Sequence, residues 1–224
     1  MLIKKPFKKG FGFNAAPYYK AAGGGGGTVT LDAAEASAFS LGSGTTQTDN
    51  GFTVGAGSNQ LLVVAIAMGS NVGGTITGTW NGTSLGTPVV DITNVSVRSL
   101  IFALKNPAQG NKSLVLNNTA NWAFSNSIAC SFNGVDQTTP TQNPNTATGS
   151  ASSFPITITT ANGNATVMTA AASSTLTAID NVQLYANSSN GTGAARQASS
   201  SGSTTFTGTG GGSWAACGID LKAA

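Results

Sequence analysis

Apolar positions along most of the chain recur every second residue, the spacing of a half-buried strand, and between the runs stand clusters of Gly, Asn, Pro and Ser that read as turns. The pattern predicts strands at 28–31, 36–41, 61–68, 74–80, 98–105, 113–118 and 125–132. It continues at 154–160, 165–171, 177–185, 204–209 and 214–221. No stretch carries a convincing helical stripe; Ala33-Ala34-Glu35-Ala36 is cut short by Gly42 and Gly44. In Leu61-Leu62-Val63-Val64-Ala65-Ile66 every residue is apolar, so alternation cannot choose a face. Such a run marks a central strand covered on both sides or an interface strand. Asn81-Gly82 after Trp80 predicts a tight hairpin into 84–90. The stretches 137–153 and 187–203 read as long contact or display loops.

Many short strands at this spacing predict an all-β chain, an antiparallel β-sandwich of jelly-roll type with an extended N-terminal arm. Inner faces are expected from Leu62, Val64, Ile66 and Met68 or their alternates, and from Leu100, Phe102 and Leu104. Leu114 and Leu116, Ile128, Cys130 and Phe132, Ile156 and Ile158, and the strand from Trp214 complete them. Three parts follow: an arm at 1–22, a glycine hinge at 23–27 and one sandwich domain at 28–224.

Charge changes the picture at the arm. Charged residues make up only 8% of the 224, and Lys4, Lys5, Lys8, Lys9 and Lys20 fall in the first 20 with no acid among them. The remainder has five cations against seven acids. The arm also holds Phe7, Phe11, Phe13, Tyr18 and Tyr19 in a chain that is 7% aromatic. Lysines interleaved with aromatics fit anchors that dock on another protein, with fold-back onto the body or a solubilising leader as the alternatives. Five lysines are few for nucleic acid, which is not expected as a partner. The five glycines at 23–27 lack the Lys-Ser/Thr ending of a phosphate loop and read as a joint. No apolar signal-peptide core follows the N-terminal lysines, and no apolar run is long enough for a membrane-spanning helix.

The chain has no histidine, which removes His-based triads, His-containing zinc sites and a His general base. No catalytic residue, metal ligand set or cofactor site is predicted. Asp32 with Glu35 reads as a solvated pair, and Asp136 before Gln137-Thr138-Thr139 as an Asx-turn. Lys105, Lys112 and Lys222 show no recognisable partner. Cys130 and Cys217 lie in alternating apolar strands and read as free buried thiols, or as a disulfide if those strands are neighbours. Trp80 with Asn81 beside a turn is the candidate ligand platform for a sugar, against core packing for each of Trp80, Trp122 and Trp214.

The order of several short motifs resembles a diffuse group of bacterial and phage β-sandwich proteins. They are the apolar strand from Leu61, the turn Trp80-Asn81-Gly82-Thr83, the turn Lys105-Asn106-Pro107, the closing run Phe132-Asn133-Gly134-Val135-Asp136-Gln137, and the final strand from Trp214. The resemblance covers about 36–222, leaves the arm outside and brings no catalytic residues. It implies a non-enzymatic virion structural protein: a capsid decoration, spike or fibre-base subunit, assembled in the host cytoplasm. Such a subunit is held to other virion proteins by its arm, forms a homo-oligomer and needs neither membrane nor cofactor. A carbohydrate- or receptor-binding surface module that touches a host glycan, and a small jelly-roll coat subunit, are the alternatives.

Overall fold

In the computed structural model the described residues are 27–34, 39–70, 72–180, 182–187, 191–198 and 202–224. All regular structure among them is β, and every ladder is antiparallel. The first half contains β1 (Thr30–Ala34), β2 (Phe39–Leu41), β3 (Thr46–Asp49), β4 (Thr53–Val54), β5 (Leu61–Met68) and β6 (Ile76–Trp80). It continues through β7 (Thr83–Ser84), β8 (Val90–Asn94), β9 (Val97–Lys105), β10 (Gly110–Asn111), β11 (Leu114–Asn118) and β12 (Ser125–Asn133). The second half contains β13 (Thr141–Gly149), β14 (Ser153–Thr160), β15 (Ala165–Ala172), β16 (Leu176–Ile179), β17 (Val182–Asn187), β18 (Thr192–Ala198), β19 (Gly202–Gly210) and β20 (Trp214–Leu221).

Two sequence expectations are corrected. The expected loop 137–153 contains β13, and 187–203 contains β18 and the start of β19. β13 has almost no apolar residue to betray it, because it is an edge strand that pairs with β20 through its backbone. Its Pro144, which has no N–H to give a ladder, falls inside the irregularity between Gln142 and Asn145. β18 is built from Gly193, Ala194 and Ala195, too small to register as an apolar run. The predicted strand 177–185 is two strands, β16 and β17. At Asn81-Gly82 the hairpin forms with positive φ at both residues (49° and 78°), but its return strand is only β7.

The halves have the same strand order. In the first, β1 pairs β12, β3 pairs β11, β5 pairs β9 and β6 pairs β7, a nested hairpin. In the second, β13 pairs β20, β14 pairs β19 and β15 pairs β18. The larger sheets run β1-β12-β5-β9-β8, with β2 also on β12, and β13-β20-β15-β18-β17. The smaller ones run β3-β11-β6-β7 and β14-β19-β16, and β4 with β10 form a separate ribbon. Registers coincide as well: Leu61 faces Phe132 across its ladder as Ala165 faces Leu221 across the equivalent one.

The pleat distributes side chains among four apolar clusters, the smallest made of Ala67, Val97, Ala171 and Ala215. Leu62, Val64, Ile66 and Met68 of β5 meet Trp80, Leu114 and Leu116 from the first half's smaller sheet. Met168, Ala170 and Ala216 meet Phe154, Ile156, Ile158 and Phe206 in the second half. The alternate residues of both large sheets share a third cluster: Leu61, Val63, Ile128 and Phe132 with Val167, Cys217, Ile219 and Leu221. β5 and β15 are therefore covered on both faces, as the unbroken apolar run of β5 predicts. Each buried Val, Leu, Ile, Met or Phe side chain among them contributes roughly 1.5–3 kcal/mol.

Candidate functional site

The expected ligand platform does not form at Trp80. Its indole is 0% exposed, donates from Nε1 to Ala108 O at 2.8 Å and meets Phe52 edge-on at 5.8 Å between ring centroids. Asn81 beside it is exposed, held in the left-handed conformation by the turn. Trp122 and Trp214 are also buried, so the three tryptophans are core residues. The anchoring residues Lys4, Lys5, Phe7, Lys8, Lys9, Phe11, Phe13, Tyr18 and Tyr19 lie outside the described residues, as does Glu35.

Asp32 is not a solvated surface acid. It sits half-buried at the irregularity of β1, and its Oδ2 accepts from Ser131 Oγ (2.7 Å), Gly55 N (2.8 Å) and Gln60 Nε2 (3.4 Å). Asp220 of β20 is fully buried: Oδ1 accepts from Thr160 Oγ1 (2.7 Å), and Oδ2 from Gln142 Nε2 (2.7 Å) and Asn164 Nδ2 (2.8 Å). By the shared register Ser131 corresponds to Asp220 and Ala33 to Gln142, while Asp32 stands in the irregularity beside Ala33; Gln60 and Asn164 immediately precede β5 and β15. Both halves thus hold one carboxylate near the start of β5 or β15, on the first strand in one and the last in the other. Hydroxyl and amide donors occupy both carboxylates, which tie their strands to the neighbouring segments.

Two further acids are held in ion pairs. Asp136 forms the expected Asx-turn, with Oδ1 accepting from the Thr138 and Thr139 amides at 2.7 and 3.1 Å. Its Oδ2 meets Lys222 Nζ at 2.7 Å, a partner the sequence did not reveal. The Lys222 ammonium, with the Thr139 and Thr138 amides, lowers the Asp136 carboxyl to about 2. Arg98 grips Asp91 with two contacts (2.8 and 2.6 Å) and donates to Val72 O and Gly74 O. Cys130 and Cys217 are buried thiols not joined in a disulfide, in strands of different sheets that share one apolar cluster. Burial, with the Asp91 carboxylate adding to it, pushes the Cys217 thiol well up. Among the described residues no three His, Cys, Asp or Glu side chains come together.

One open feature stands at the seam between the halves, where β5 and β15 end. It is a cleft of about 360 Å³. Gly69, Ser70, Ser96 and Phe124 line it from the first half and residues 172–174 from the second. The walls are fixed by hydrogen bonds across the seam: Ser99 Oγ to Ala215 O (2.9 Å), Asn126 Nδ2 to Thr192 Oγ1 (2.6 Å), and Asn94 Nδ2 to Gly149 O and Trp214 O. Phe124 is 62% exposed. Val95, next to the lining residue Ser96, is 81% exposed.

These two are the exposed large hydrophobics of the described residues, and both have positive φ, 46° and 54°. The other non-glycine residues with positive φ are all asparagines, which tolerate it. Left-handed backbone at a branched or aromatic residue costs about 1–2 kcal/mol. Strain and apolar exposure therefore coincide at one rim, a combination typical of functional positions. Sequence patterning could not find it, since Val95 and Phe124 both fall between predicted strands, where alternation says nothing of exposure. No family model, curated protein or solved structure matches the chain.

Proposed function

We propose that this chain is a non-catalytic structural subunit of a virion, in which a rigid strand-built body is held to its neighbours by residues 1–22. The observation that carries this reading is the nested strand order, present twice. The pairs β1–β12, β3–β11 and β5–β9 in the first half and β13–β20, β14–β19 and β15–β18 in the second, over a larger and a smaller sheet, support a jelly-roll reading, an architecture of capsid and lectin domains. Two such units sharing one core make a stiff block with few charges to desolvate when copies assemble. The motif order described above points the same way.

Incorporation into particles tests this. The full chain is expected in purified particles, and a chain lacking residues 1–22 is expected to fold but remain outside them. Incorporation of the shortened chain removes the arm from the mechanism; absence of the full chain from particles removes the structural role. On that reading, two such units in one subunit favour a coat role over decoration, and copy number per particle separates the two.

A further inference from the structure

We propose that the cleft at the seam binds a neutral saccharide, with the Phe124 ring as its stacking platform. The hydroxyls of Ser70, Ser96, Ser173 and Ser174 would be its hydrogen-bond partners. This goes beyond the virion role and does not depend on it, because it concerns the isolated chain.

Four observations bear on the ligand's chemistry. None of the lining residues carries charge, so nothing there selects an ionic group. The Ser96, Ser173 and Ser174 hydroxyls make no hydrogen bond among the described residues, and Ser70 Oγ reaches Ala123 O only at 3.5 Å. An apolar occupant would strip water from these groups without replacing it, whereas a polyol satisfies them. Phe124 adds an exposed aromatic face, which suits the apolar C–H face of a sugar ring. The volume lies at the small end of the range for small-molecule sites, about 300–1,000 Å³, which suits one or two sugar rings.

The chain's own leader is the competing occupant; it is long enough to reach the cleft, and what disfavours it is the cleft's lack of charge. Gly27, to which the leader connects, donates its N–H to Ala224 O, and Val29 donates to Gly163 O. That pole is where β5 and β15 begin, one eight-residue strand away from the cleft, roughly 25 Å. The cleft offers no acid to the leader's lysines.

The test is titration of the full soluble chain, by calorimetry or ligand-detected NMR, with neutral mono- to tetrasaccharides of glucose, galactose, mannose and N-acetylglucosamine. At least one is expected to bind, with Kd changing less than about twofold as salt rises tenfold. Phe124→Gly removes the platform while suiting a backbone at φ 46°, so its fold is kept, and binding is expected to weaken about tenfold or more. Phe124→Tyr is expected to retain it. Binding of none of the panel overturns the proposal, as does undiminished binding by Phe124→Gly. Preference for sialylated or sulfated sugars overturns it too. So does a peptide of residues 1–22 that binds the leaderless chain and is lost with Phe124→Gly.

Discussion

A glycine faces an aromatic ring directly across the ladder at two places in the second half. Gly208 is paired with Phe154, and Gly149 with Trp214. A Cβ on either glycine would enter the ring opposite, so the missing side chain is what lets Phe154 and Trp214 lie together at 5.2 Å between centroids. Asparagine meets the need for left-handed backbone in most non-glycine turns, while Val95 and Phe124 bear it at a cost. The cysteines show the same economy of position: both are core residues of the shared cluster. In native protein at pH 8, neither thiol is expected to react with a disulfide reagent within minutes, and two are expected per chain after denaturation. Rapid native reaction of either would show that the shared cluster is open to solvent.

At the scale of elements, long strands with alternating or unbroken apolar residues were legible, and short polar ones were not. β5 and β20 occupy the predicted spans to the residue, because their side chains enter apolar clusters on both faces. β13 forms because β20 offers it a backbone edge, a cause that no local pattern records. The turn after β12 is fixed to the end of β20 by the Asp136–Lys222 pair and by Asp136 N donating to Lys222 O. The Asp136 carboxyl titrates near 3.9 when unfolded and near 2 when folded. A lowered folded value means that its stabilising contribution is complete above about pH 4 and is lost as pH falls toward 2. Urea midpoints measured across that range are expected to fall more steeply for the natural chain than for Asp136→Asn. Parallel acid limbs would mean that the pair contributes nothing.

For the whole molecule, the main consequence of the fold is that neither half completes its own surface. The cluster joining Val63, Ile128 and Phe132 to Val167, Ile219 and Leu221 belongs to both large sheets. Residues 27–136 and 137–224 expressed separately are expected to be insoluble or to bind each other, and co-expression is expected to recover a one-to-one complex. Two soluble, independently folded monomers would show that the shared cluster is dispensable. Nested pairing also joins the first strand of each half to its last, so contacts are non-local and folding is expected in the slow range of about milliseconds to seconds.

The sequence by itself determined that the chain is all-strand, where most strands lie, that β5 is central and that histidine chemistry is absent. These follow from local periodicity and composition, which a single strand's burial imposes on its own residues. The tertiary structure decided that the strands form two equivalent halves, and that Trp80 is core. It also decided that Asp32 and Asp220 tie their strands to neighbouring segments, and that Phe124 and Val95 stand exposed at one seam. Each of those depends on which distant segment packs against which, and partners a hundred residues apart leave no shared signature in a single sequence.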